Sequence, residues 1–342
     1  MNKPTIAIGE GLYHGWVDLS NVYEAIASNF GDITREKTNF NWDFPTVIKD
    51  INTALSNVLV KENLSGIIES TYNIKKVNDA VRDVYASSIM KKNVTKHIPI
   101  LMYHKVPDLP INSKHRIFIT KANFEKHLRF FKSKGFTSIT FHDYHKFRNG
   151  ELSFSEFPKK PIILTFDDGY HDNFENALPL MNKYNFKGVI FFLGDPSINY
   201  NYWDVKNGEH RDELMDINQK KDFVKNGWEV GAHSLTHADL TQLNDVESIK
   251  EITGSKENLE TQLQSKVLTF AYPFGKLNDK VKQLAKKSGI QYAVATDSGG
   301  LNIEDDLFQI FRVNIFPDDG NFQLLKKTSP FYRKYYSLKR KK

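Results

Sequence analysis

Between residues 97 and 325, apolar residues come in short unbroken blocks, and between the blocks they recur every third or fourth position. That alternation predicts strands separated by helices. Residues 98–103 form an apolar strand that ends at His104. Thr120 is placed to cap a helix with Phe124, Leu128 and Phe131 on one face, stopped by Gly135. Further strands are expected at 137–141, 161–165, 188–193, 228–232, 266–272, 291–296 and 308–316. Between them fall a short polar helix after 141, one at 176–184 with Pro179 in its first turn, and one ending near Asn226. A long polar helix starts near Asn244, and Asn278 caps another that buries Val281, Leu284 and Ala285. Residues 194–216 make a long irregular insert, rich in Asn, Tyr and Asp and containing Trp203, of the kind that carries binding residues on a rigid scaffold.

The first 96 residues follow another pattern. A strand is expected at 5–8, and helical spacing runs through Val47, Ile51, Leu55 and Val58 and again through Ile74, Val77, Val81 and Val84. The chain thus divides into a mainly helical extension over 1–96, a strand–helix domain over 97–325 and a basic tail over 326–342. Strand–helix alternation without a glycine-rich dinucleotide fingerprint favours an α/β fold that closes into a (β/α) barrel over an open sheet.

Composition narrows the chemistry. With no cysteine, disulfides, thiol nucleophiles and thiolate metal sites are excluded, leaving His, Asp and Glu as metal ligands. The formal net charge of +6 is concentrated in the aromatic, basic tail. That tail is either a solvated, frayed terminus or a peripheral contact for a membrane surface. No nucleic-acid-binding motif accompanies the basicity. No run approaches the roughly 20 apolar residues of a membrane helix. No signal peptide is seen, so the expectation is cytoplasmic, with action at the cell envelope or outside the cell as the alternative.

Two strand ends carry candidate chemistry. After Ile162, Ile163 and Leu164, the strand at 161–165 leads into Asp167 and Asp168 followed by Gly169. At the C-terminal end of a barrel strand such a pair reads as catalytic, although a solvated Asp-Asp-Gly turn uses the same residues. The strand at 228–232 leads into His233-Ser-Leu-Thr-His237, whose imidazoles share one face if the segment makes a helical turn. Two imidazoles and one carboxylate suit a divalent cation, zinc first and cobalt or nickel as alternatives, with positions left open for water and substrate. One aspartate would be the ligand and the other the base, and the residues themselves do not say which.

Thr165-Phe-Asp-Asp-Gly169, His233-Ser-Leu-Thr-His237 and Ala271-Tyr-Pro-Phe-Gly275, in that order and at that spacing, resemble the first three motifs of the polysaccharide deacetylase family, the NodB-homology domain. The resemblance covers roughly residues 97–318. It implies a distorted (β/α) barrel and metal-dependent removal of acetyl groups from sugars. Asp167 would then be the base, and Asp168, His233 and His237 the ligands. Tyr272, Pro273, Phe274 and Gly275 would form a wall of the substrate groove, with the Phe274 N–H at the oxyanion.

Two positions depart from the pattern. Ala271 stands where many members have an arginine that orients the base, and Arg312 is a candidate substitute. Residues 312–317 also lack the histidine that many members use as general acid. Leu101-Met-Tyr-His-Lys-Val106 resembles the opening motif of the poly-β-1,6-N-acetylglucosamine deacetylase branch, which implies His104 as the acid. The expected activity is N-deacetylation of N-acetylhexosamine units in a polysaccharide or glycoconjugate. The alternatives are deacylation of a lipid-linked or nucleotide-linked sugar, and a carbohydrate-binding relic without turnover.

Overall fold

The computed structural model describes residues 97–153 and 155–340. The strand and helices expected over 1–96 lie outside the described residues. In chain order the elements are β1 (Ile100–Tyr103), α1 (Lys121–Ser133), β2 (Thr137–Ser138), α2 (Phe141–Asn149), β3 (Pro161–Phe166), α3 (Leu178–Lys183) and β4 (Val189–Phe192). They continue with α4 (Tyr202–Val205), α5 (Ile217–Lys225), β5 (Glu229–Ala232), α6 (Asp245–Leu263), β6 (Thr269–Ala271), α7 (Asp279–Lys287), β7 (Tyr292–Val294), β8 (Val313–Asn314), α8 (Asn321–Lys327) and α9 (Pro330–Arg340).

The strands lie side by side in the order β7-β6-β5-β4-β3-β1-β8, all parallel, with β2 forked onto the start of β3. The segment entering β8 returns to the far edge. Val294 bridges Ile310, the Ala295 N–H donates to Ile310 O at 2.9 Å and the Arg312 N–H to Thr296 O at 3.0 Å. One residue later the same segment pairs with β1, Leu101 opposite Val313. A single stretch of chain therefore satisfies both sheet edges and closes the barrel. The closure is distorted, because the strand expected at 308–316 keeps a regular ladder only at Val313–Asn314.

Strand periodicity sorts the side chains. Ile162, Leu164 and Phe166 join the larger core, packed with Phe124, Leu128 and Phe131 of α1, while Ile163 joins Ile100, Val189 and Phe191 in the second cluster. Helix starts follow their caps: Thr140 and Asp143 form a capping box that starts α2 at Phe141, which cuts short the strand expected at 137–141. Residues 326–340, read as part of a basic tail, are mostly helical. Arg333 of α9 is buried and donates to Leu301 O and Ile98 O, both at 2.9 Å. The guanidinium thus ties α9 to carbonyl groups of the barrel. No described helix is long and apolar enough to cross a membrane.

Gly299 is where closure tolerates least. Its φ is +133°, and an added Cβ would lie 2.1 Å from Gln309 O and 2.8 Å from Phe311 N, both backbone atoms of the closing segment. Gly299→Ala is predicted to destabilise the domain by about 2–3 kcal/mol, seen as a fall of several degrees in the thermal midpoint. An unchanged midpoint would show that the segment closes the barrel more loosely than described.

Candidate active site and metal centre

At the C-terminal end of β3, alternation turns Thr165 and Asp167 toward the barrel axis, and Arg312 meets them there from the closing segment. Its Nη1 and Nη2 donate to Asp167 Oδ1 and Oδ2 at 2.6 and 2.7 Å, Nη1 to Thr165 Oγ1 at 3.2 Å, and Nε to Ala295 O at 2.8 Å. The arginine is fully buried. Burial would raise the Asp167 pKa, but the guanidinium outweighs it and holds the carboxyl below its ordinary value. A bidentate fork of this kind fixes the plane of a carboxylate as well as its charge.

Asp168 would point away from Asp167 if the strand continued. Instead its φ is +72°, in the left-handed region, and the turn brings both carboxylates to one cleft. The histidine pair also departs from expectation. Residues 233–237 form an irregular turn, not a helical one, with Ser234 and His237 both at φ +61°. That turn nevertheless brings the rings together: Nε2 of His233 and of His237 stand 3.2 and 3.3 Å from Asp168 Oδ1. The three side chains are buried, and their ligand atoms lie within 4.8 Å of one another.

The donor set fits a divalent cation. His233 Nδ1 is 2.8 Å from Ala271 O, so the neutral ring carries its proton there and aims the Nε2 lone pair at Asp168. Asp168 Oδ1 is buried and has no hydrogen-bond partner. Lone pairs on a carboxylate and an imidazole facing each other at this distance call for a cation between them. Ligands about 2.0–2.1 Å from a tetrahedral zinc stand about 3.4 Å apart, close to the separations found.

His104, at the end of β1, places Nε2 3.8 Å from Asp167 Oδ2. Burial lowers its pKa, with Asp167 and Asp168 pulling the other way. All five of these side chains line one cleft of about 440 Å³. Of the Tyr272–Gly275 wall, Phe274 is the member exposed at the rim, at φ +59° and with its ring edge-on to His237 at 4.5 Å. Tyr272 and Gly275 also line the cleft, Pro273 does not, and the Tyr272 hydroxyl donates to Phe308 O at 2.8 Å. Tyr272 therefore anchors the closing segment with its polar end.

Two further neighbours come from the insert at 194–216, where sequence reasoning notes Trp203 without assigning it a role and does not single out Asp204. Trp203, from the insert, stacks on His237 at 4.0 Å with 13° between the ring planes. Asp204 beside it lines the cleft and accepts from the Tyr170 hydroxyl at 3.1 Å. No motif points to them; the one signal is their place in a long irregular loop.

Residues 155–293 match the polysaccharide deacetylase family model. A Bacillus subtilis protein named as a polysaccharide deacetylase, YxkH, is 27% identical over 231 residues, covering 68% of this chain and 76% of the relative. The poly-β-1,6-N-acetyl-D-glucosamine N-deacetylase of Staphylococcus aureus is 23% identical over 225 residues, 63% of this chain and 73% of that one. Among solved structures, the Streptococcus pyogenes deacetylase PplD, in complex with acetate, superposes with a TM-score of 0.56 at 26% identity, covering 68% of this chain and 98% of that one.

Removing one member of a buried ion pair strands the other, which typically costs about 3–5 kcal/mol. Arg312→Met is predicted to destabilise the domain by that amount in denaturant unfolding, and Arg312→Met combined with Asp167→Asn by clearly less than the two single changes summed. Additive losses in this cycle would mean that the two groups do not depend on each other.

Proposed function

We propose, starting from the polysaccharide deacetylase domain that this chain carries, that it is a divalent-metal-dependent hydrolase removing N-acetyl groups from N-acetylhexosamine units of a polysaccharide or glycoconjugate. The observation that carries this reading is the division of labour between adjacent carboxylates. Asp167 is gripped by a guanidinium and Asp168 is turned toward two imidazoles.

Asp168, His233 and His237 would hold the cation, zinc in the first instance. When bound there, it supplies Lewis acidity to the attacking water and to the acetyl carbonyl. Asp167, kept ionised and oriented by Arg312, takes the water proton. The water oxygen bonds to the carbonyl carbon and the carbon–nitrogen bond breaks. His104 delivers a proton to the nitrogen, so the sugar leaves as an amine and the acyl group as acetate. The Phe274 N–H is the candidate donor to the oxyanion. Trp203 and Phe274 flank the His237 ring.

The cleft also weighs against a nucleotide-linked or lipid-diphosphate-linked substrate. Beyond the catalytic set its titratable lining residues are Asp204, Asp297 and His115, and no described lining residue is a lysine or arginine. Apart from the cation that Asp168, His233 and His237 would hold, a phosphate would meet mainly carboxylates, whereas an uncharged glycan offers hydroxyl donors to the same groups.

Asp167→Asn is predicted to abolish acetate release from β-1,6-linked N-acetylglucosamine oligomers, followed by mass spectrometry, and to keep its zinc; Asp168→Asn should lose both. Retention of zinc by Asp168→Asn and its loss from Asp167→Asn would reverse the two roles. His104→Ala should lower turnover of the oligomers about 10²–10⁴-fold with zinc content unchanged. It should affect 4-nitrophenyl acetate far less, because that leaving group needs no proton. An equal loss on both substrates would remove the acid role from His104.

A further inference from the structure

Among the described residues, none hydrogen-bonds the ring of His104 as it does its proposed work. Its closest charged neighbour, Asp167, is 3.8 Å away, beyond hydrogen-bonding range. The position of the imidazole is therefore inherited from the backbone of residues 104–106, and that backbone has just left the sheet, since β1 ends at Tyr103. Where the hydrogen bonds of these three residues go can be traced. Lys105 is held by a short parallel bridge, its N–H donating to Ile117 O at 3.2 Å and its carbonyl accepting from the Ile119 N–H at 3.0 Å.

Its two neighbours are held by side chains of one element. Asn173 Nδ2 donates to His104 O at 2.7 Å, the Val106 N–H donates to Asp172 Oδ2 at 2.8 Å, and Asn176 Nδ2 donates to Val106 O at 2.8 Å. Asn173 also braces Asp172, donating to its Oδ1 at 2.6 Å. Asn173 and Asn176 are buried, and both lie in a π-helical turn, Asn173–Ala177, that begins five residues after Asp168. Such turns are rare and concentrate at functional sites, where the extra residue redirects side chains. Here the wide turn lets Asp172, Asn173 and Asn176 all face the same strand exit.

We propose that Asn173, with Asp172 and Asn176, is a positioning element that sets the distance between the general acid and the rest of the catalytic set. The π turn grows from the same strand end that carries Asp167 and Asp168, so its amides register His104 against those carboxylates. The inference rests on the reading of His104 as the acid. None of Asp172, Asn173 and Asn176 lines the cleft.

The test is a double-mutant cycle on the oligomer substrate, with zinc content measured for every variant. Asn173→Ala should lower kcat about ten- to a hundredfold, since displacing a catalytic group by a fraction of an ångström to an ångström has effects of that size. KM and zinc content should stay within about twofold. In a His104→Ala background the same substitution should cost less than about twofold, because the group it positions is gone. A full loss in both backgrounds, or a loss carried by KM or zinc, would overturn the proposal while leaving the acid role intact. If His104→Ala itself has no effect, the acid assignment has failed instead, and the positioning role falls with it. Should Asn173→Ala not fold, Asn176→Ala, which releases Val106 O alone, is taken through the same cycle with the same criteria.

Discussion

A guanidinium and a carboxylate locked together inside the barrel are the constraint on which the rest of this structure depends. Asp167 ends one strand and Arg312 lies on the segment that joins the two edges of the sheet, so their fork is both an electrostatic and a topological clasp. Buried charges are costly unless paired and hydrogen-bonded, and this arginine is satisfied by a carboxylate, a hydroxyl and a carbonyl. Closing the barrel and orienting the base are thus one event. Thr165 completes the arrangement by donating to Leu101 O, which ties β3 to β1 beside the site.

Around that clasp the backbone is repeatedly forced into the left-handed region. Asp168, Ser234, His237 and Phe274 all have positive φ, and none is glycine. Each such residue costs on the order of 1–3 kcal/mol, which persists only where the surroundings determine the conformation. The barrel determines it here: strands deliver the chain to one rim, and sharp turns then bend side chains inward that regular geometry would send elsewhere. Asp168 is the clearest case, since an extended conformation would separate it from Asp167.

The strands that build the scaffold were legible because buried parallel strands are short continuous apolar blocks, as in Ile162-Ile163-Leu164 and Val189-Ile190-Phe191-Phe192. The chemistry-bearing residues were legible as types and as motifs. How they converge was not. The His233–His237 spacing suggests a helical turn, and the pair meets through two left-handed residues instead. The partner of Asp167 lies 145 residues away, an arginine between Phe311 and Val313 in a mostly apolar strand, which only the family pattern made a candidate for that role. A lone charge in such a block demands a buried partner, but nothing local says which one. The stacking of Trp203 on His237 and the π turn at Asn173 were not legible for a related reason: both depend on long-range packing that leaves no periodic mark.

The most direct test is a crystal structure of the zinc-loaded protein with anomalous data at the zinc edge. The account predicts one peak about 2.0–2.2 Å from Asp168, His233 Nε2 and His237 Nε2, with Asp167 outside the coordination shell and still forked by Arg312. Zinc bound by Asp167, or no peak within reach of the two imidazoles, would contradict it.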